Sequence, residues 1–154
     1  MGIEIERKFL VTSLNFKEFA DPVQIIQGYL NTDPEKTIRV RIYGDRAFLT
    51  IKGKVKKFSR PEFEYEIPLT DAKDLLKLCS NPIEKERYPV KFYDHLWEVD
   101  VFLEKNKGLI IAEIELSRPD ELFAKPDWIG REVSDDKRYF NSYLSRHPYT
   151  SWQQ

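Results

Sequence analysis

The segment Thr37–Gly53, TIRVRIYGDRAFLTIKG, alternates apolar and polar residues on both sides of Gly44-Asp45. Alternation with period two sends successive side chains to opposite faces of a strand, and glycine at the first central position of a two-residue loop suits a tight hairpin. With Gly44-Asp45 as that loop, Arg39 faces Thr50, Arg41 faces Phe48, and Lys52 lies on the same side. One face of the hairpin is therefore apolar and the other cationic.

The same alternation, rich in Ile, Val, Phe and Tyr, recurs in eight segments at about 3–11, 23–30, 37–43, 46–53, 62–69, 83–93, 96–104 and 109–117. Helical patterns are fewer. A short helix is predicted over 14–20, a second over 70–78 with Thr70 as N-cap, and a closing one over 135–145 burying Tyr139, Phe140, Tyr143 and Leu144. The pattern predicts a mainly β (α+β) fold, an eight-stranded antiparallel closed β-barrel with a few flanking helices, because closure removes exposed edges. The 154 residues, 41% apolar and 33% charged, suit one domain over 1–154.

Twenty-five Lys+Arg against 26 Asp+Glu leave a charge of -1, which argues against a uniformly basic nucleic-acid surface. The lone Cys79 excludes an intramolecular disulfide and any cysteine-cluster zinc site, and suits a reducing compartment. His95 and His147 stand too far apart in sequence to suggest a histidine metal centre, and they read as a turn residue and a tail residue. Residues 1–8 carry charges where a secretory signal needs an apolar core, and runs such as 108–112 are too short to span a bilayer. A cytoplasmic protein without membrane or nucleic-acid partners is expected, with a homodimer left open.

Nearly every strand carries an ionic face: Glu4, Glu6 and Lys8; Arg39 and Arg41; Lys52; Glu62, Glu64 and Glu66; Lys85 and Arg87; Glu98 and Asp100; Glu113 and Glu115. Alternation alone fits faces that meet water. Turn geometry points inward instead. An even loop centred on Asn106-Lys107 sets Asp100 against Glu113 and Glu98 against Glu115, and an Asp94-His95 loop brings Lys85, Arg87 and Lys91 to that face. Directly opposed carboxylates destabilise a sheet, and a bound cation relieves them. Oxygen-only ligands suit Mg²⁺, Mn²⁺ or Ca²⁺ rather than zinc, while arginines and lysines on the same space suit phosphate. A metal-chelated polyphosphate inside the barrel satisfies both, with the apolar faces turned outward.

Glu4-Ile5-Glu6-Arg7-Lys8 resembles the E-x-E-x-K signature of the CYTH, or triphosphate tunnel metalloenzyme, superfamily. The match continues through Arg39-Val40-Arg41, Thr50-Ile51-Lys52-Gly53, Ser59-Arg60 with Glu62 and Glu64, residues 84–88, 97–102 and 112–116, and Asp136-Lys137-Arg138-Tyr139, covering about 2–145. The resemblance implies an eight-stranded tunnel that holds a triphosphate between basic residues while carboxylates hold divalent metal. It implies Glu4, Glu6 and Glu115 as ligands of Mg²⁺ or Mn²⁺, with Glu62, Glu64, Asp100 and Glu113 as further ligands or orienting carboxylates. Lys8, Arg39, Arg41, Lys52, Lys85, Arg87 and Lys137 correspond to phosphate contacts. Tyr29 and Lys85 match positions near the reacting end, and Glu115 is a candidate for orienting and activating water. Pro61 suggests an edge or bulge beside Glu62, and Glu66 extends the acidic row without an assigned role.

Three functions remain open from the sequence. The chain hydrolyses an inorganic triphosphate with divalent metal, acts on an organic triphosphate as a thiamine triphosphatase or class IV-type adenylyl cyclase does, or binds polyphosphate without chemistry. The complete carboxylate set argues for chemistry, because a binder needs only the basic residues.

Overall fold

The computed structural model describes residues 2–31, 33 and 35–152. Among them nine strands form: β1 (Gly2–Val11), β2 (Val23–Tyr29), β3 (Thr37–Tyr43), β4 (Arg46–Lys52), β5 (Ser59–Ile67), β6 (Ile83–Phe92), β7 (His95–Phe102), β8 (Ile110–Glu115) and β9 (Ile129–Glu132). They pair antiparallel in the order β5-β4-β3-β2-β6-β7-β8-β1-β9, and β5 also pairs with β1. The first eight strands thus close into the predicted barrel. β1 makes the closure possible by its length: Gly2–Ile5 pair with β5, while Glu6–Leu10 pair with β8 along the other edge.

β9 was not among the predicted segments, since four residues are too few for alternation to be recognised. It extends β1 through Phe9 and Val11, and Arg7 clasps it by donating to both carboxylate oxygens of Glu132 at 2.8 and 2.6 Å. Pro61 faces Ile3 of β1 on one side and its carbonyl accepts from Gly53 N at 3.0 Å on the other, so closure of the barrel leaves it between two strands and not at the edge that the sequence suggested.

The Gly44-Asp45 hairpin has the predicted register, with Arg39 opposite Thr50 and Gly44 at φ +62. The other two predicted registers are each offset by two residues. Phe92 pairs with His95, so the loop is Tyr93-Asp94, with Tyr93 at φ 53. Between β7 and β8 a 3-10 turn at Glu104–Asn106, with Glu104 and Gly108 at positive φ, replaces the symmetric loop and sets Glu98 opposite Glu113 and Asp100 opposite Ile111. A two-residue offset preserves which face each side chain occupies. It changes partners, and places Arg87 opposite Asp100.

The apolar faces point outward and are covered by chain segments. Phe9, Trp97, Val99, Ala112 and Ile114 pack with Phe16 and Trp128. Phe16 comes from a 3-10 turn at Asn15–Glu18, which replaces the helix predicted over 14–20. Helix α1 (Leu69–Leu76) lays Ala72 on Val40 and Ala47. It begins after Pro68 with no side-chain cap, so Thr70 falls inside the first turn instead of capping it. The helix predicted over 135–145 is broken. A 3-10 turn at Lys137–Tyr139 leads into extended backbone at Phe140, with ψ 138, before the single turn of α2 (Asn141–Leu144).

That break lets the C-terminal segment fill one end of the barrel. Ile83, Phe102 and Ile111 alternate with Lys85, Asp100 and Glu113 on the inward faces, and they pack against Tyr139 and Leu144. Among the described residues no helix is long and apolar enough to cross a membrane.

Candidate functional site

The inward faces enclose a cavity of about 270 Å³. Every expected site residue except Asp100 and Lys137 lines it. Asp100 lies behind the wall, 1% exposed, beneath Lys85 and Arg87. Lys137 is exposed on the outside, beside Arg131 and Asp135, away from the cavity. Glu66 is also outside, where its carboxylate accepts from exposed Arg46 at 2.7 and 3.1 Å.

Three groups of charges divide the lumen. At the first, the Glu4 carboxylate accepts from Lys52 Nζ at 2.9 Å on both oxygens, with Arg60 Nε at 3.5 Å and Glu62 3.3 Å from the same lysine. Nearby, Lys8 Nζ donates to Glu6 at 2.6 Å and to Glu113. Burial works against the Lys8 charge, but Glu113 and Glu6 outweigh it and raise its pKa. Glu115, opposite Glu6 across β1 and β8, has no such cation among the described residues. Its pKa is pushed up to about 7 by desolvation and by the neighbouring Glu4, Glu62, Glu6 and Glu98 carboxylates.

The second group is a buried ion network. Arg87 donates to both oxygens of Asp100 at 2.7 and 2.9 Å, and reaches Glu98 at 3.3 Å and Glu113 at 3.4 Å. Lys85 Nζ lies 2.7 Å from Asp100 and donates to Asn141 Oδ1 at 2.9 Å. Desolvation lowers the Lys85 pKa to about 8, with Arg87 adding to the shift, against the pull of Asp100 and Glu113. Asp100 and Glu113 are held below the usual carboxylate range by their cations, against the opposing effect of burial.

The third group is an excess of positive charge. Arg39 and Arg41 share one partly exposed carboxylate, Glu64, at 3.9 and 3.6 Å, and the Nε of each arginine is buried without an acceptor among the described residues. Desolvation, then repulsion from Arg39 and Arg87, lowers the Arg41 pKa to about 10. Two guanidiniums held this close need an anion, and a phosphate chain supplies planar pairs of acceptor oxygens for them.

Ten further residues among those described line the cavity, and four of them, Arg60, Glu98, Phe140 and Asn141, bear on its charges. Arg60 and Glu98 stood in the sequence as parts of recognised motifs without an assigned role, and the barrel brings both to the cavity. Phe140 was expected on the buried side of a closing helix and Asn141 had no signal, and the break after Lys137–Tyr139 turns both to the cavity. The Phe140 ring lies 5.5 Å from Lys8 Nζ and 5.9 Å from the Arg60 guanidinium, where it packs against their cationic ends.

Comparisons with known proteins agree with this construction. Residues 2–143 match the model of the CYTH domain. The chain is 49% identical over 156 residues to a protein from Acetivibrio thermocellus named inorganic triphosphatase, covering 100% of both chains. It is 37% identical over 147 residues to an inorganic triphosphatase from Nitrosomonas europaea, covering 92% of this chain and 96% of that one. The crystal structure of an inorganic triphosphatase superposes with a TM-score of 0.64 at 36% identity, over 92% of this chain and 96% of the other. A structure from Pyrococcus horikoshii shares the fold at 23% identity and a TM-score of 0.60, over 76% of this chain and 81% of the other. The closed barrel, its inward charges and these matches agree in one conclusion: the chain belongs to the CYTH domain family.

Proposed function

We propose that this protein is a divalent-metal-dependent triphosphatase that hydrolyses inorganic tripolyphosphate in the barrel lumen. The observation that carries this reading is the separation of charge inside one cavity: Arg39 and Arg41 lack sufficient counter-charge, while Glu115 shares its mouth with Glu4, Glu6 and Glu62. A phosphate chain answers the first deficit and a divalent cation the second. The names of the relatives at 49% and 37% identity favour inorganic triphosphate over an organic one.

The donor set fits Mg²⁺ or Mn²⁺, since it consists of carboxylate oxygens without Cys or His. Glu4, Glu6 and Glu115 would hold the ion, with Glu62 beside them. Among the described residues no three of these carboxylates form a ready-made cage, because Lys52 and Arg60 hold Glu4 and Lys8 holds Glu6. When bound, the ion would supply Lewis-acid polarisation of the phosphate oxygens.

The chain's own residues account for the rest. Arg39, Arg41, Lys8 and Lys52 bind and align the phosphates, so that charge spreading over the transferred group meets fixed donors. Arg87, tied to Asp100, presents a rigid cation to the same space. Lys85, with a pKa near 8, can hold or release a proton at the reacting end, and Tyr29 lines the same cavity. Glu115, whose pKa is raised to about 7 while no cation lies beside it, would orient the attacking water at the mouth it shares with Glu4 and Glu6, its charge offset by the ion. The lone thiol of Cys79 suits a cytoplasmic setting.

A phosphate-release screen over tripolyphosphate, pyrophosphate, ATP, thiamine triphosphate and long-chain polyphosphate tests the reading, with Mg²⁺, Mn²⁺ or chelator. Tripolyphosphate is expected to be turned over fastest, and chelator to stop the reaction until metal is restored. Faster turnover of an organic triphosphate, or undiminished turnover in chelator, overturns it.

A further inference from the structure

Asn141 has two donors on a single oxygen. Its Oδ1 accepts from Lys85 Nζ at 2.9 Å and from Gln27 Nε2 at 3.0 Å. The two donors come from neighbouring strands, β6 and β2, and are 1% and 0% exposed. Two donors on one oxygen fix which way the amide points, so the contact is not interchangeable with its NH₂ end.

Lysine is a flexible four-carbon stem ending in an ammonium with three donors. A single acceptor leaves that ammonium free to swing about one bond. Asp100 supplies one acceptor at 2.7 Å from below, and Asn141 supplies a second from the C-terminal segment. With two of three N–H bonds directed, the third has a defined direction, and Lys85 and Asn141 both line the cavity. Asn141 is itself fixed. The extended backbone at Phe140 delivers it to the wall, and Leu144, three residues on and fully buried, anchors α2 in the apolar end of the barrel.

We infer that Asn141 is a positioning residue for Lys85, holding Nζ so that its remaining N–H bond is aimed at the phosphate chain. This rests on the reading of the lumen as a triphosphate site. Lys85 makes the contact with substrate, and Asn141 acts through it. The C-terminal segment thereby completes a site whose lining residues expected from the sequence all lie on strands of the barrel.

A double-mutant cycle on turnover tests the inference. Asn141→Leu, close in size but without polar atoms, is made in the native chain and in a Lys85→Ala background. Losing one of two hydrogen bonds to a charged group should lower kcat at least roughly tenfold in the native chain. KM should stay within about threefold, because Arg39 and Arg41 still bind the phosphates. In the Lys85→Ala background the same change should cost less than about twofold, since there is no ammonium left to aim. A merely structural asparagine costs the same in both backgrounds, and that result overturns the inference. If Asn141→Leu melts well below the parent, Asn141→Ala is carried through the same cycle with the same expectation. Lys85→Ala turnover within a few-fold of wild type overturns the reading of the site itself, and this inference with it. A strong loss in Lys85→Ala with additive effects overturns the inference alone.

Discussion

Individual carboxylates and guanidiniums in the lumen do different work, and substitution separates them. Glu4→Gln or Glu6→Gln removes charge that a cation needs most in the transition state, so kcat should fall about a hundredfold or more while tripolyphosphate affinity changes by only a few-fold. Arg39→Ala or Arg41→Ala should weaken affinity as well as rate, by about tenfold each, because the proposed function has these groups contact the phosphates in every state. Steady-state kinetics beside calorimetric titration distinguishes the two classes, and turnover near wild type in both would misplace the site. Glu115 adds a pH signature. Its folded pKa near 7 stands above the ordinary 4.5, so between those values the folded protein keeps a proton that the unfolded chain has released. Stability of the metal-free protein should therefore fall as pH rises through that window, and Glu115→Gln should flatten the fall. Solvent at the mouth, where Glu115 is exposed, keeps the effect small. Asp100 and Glu113 act oppositely: their depressed pKa values stabilise the fold above the ordinary carboxylate range, and this is lost as acid protonates them. Melting curves across pH, with and without metal, check both signs.

At the scale of elements, covering segments outside the barrel are as necessary as the strands, because the apolar faces point outward. Phe16, fully buried on the 3-10 turn, packs edge-on against Tyr88 at 5.4 Å and lies 5.7 Å from Trp128. Phe16→Ala should cost about 3–5 kcal/mol. For a domain of this size that lowers Tm by roughly 10 °C. Activity per folded molecule should be unchanged, since Phe16 is on the side of the wall away from the lumen. Denaturant titration with an activity assay measures both, and a mutant of native stability would place the core elsewhere. The strand positions were legible element by element: alternation located all eight barrel strands. The registers of two hairpins were not, because a left-handed Tyr93 and a 3-10 turn at Glu104–Asn106 shifted the loops, and neither has a composition signal.

The whole molecule links stability to ligand. Opposite charges from all parts of the chain meet only when the barrel closes, so a ligand that bridges them binds the folded state alone. Tripolyphosphate with Mg²⁺, at about 100 times its dissociation constant, should stabilise by about 2.7 kcal/mol. That corresponds to roughly 5–10 °C in Tm, with metal alone or tripolyphosphate alone giving less. Thermal melts under the three conditions check it, and no shift from the pair would leave the inward charges without a ligand.

The sequence by itself determined the strands, the inward direction of their charges and the family, because period-two alternation and short motifs are local properties that survive in any tertiary arrangement. Glu4, Glu6, Lys8, Arg39 and Arg41 were legible for that reason. Only the closed structure decided which charges neutralise one another and which are left over. A shift of two residues that alternation does not register made Asp100 the buried support of Arg87 beside Lys85; Lys137 stands outside, and among the described residues Glu115 has no ion-pair partner. Asn141 reached the lumen because extended backbone at Phe140 interrupts a helical pattern. Its contacts with Gln27 and Lys85 span 114 and 56 residues, a separation over which no local signal in the chain extends.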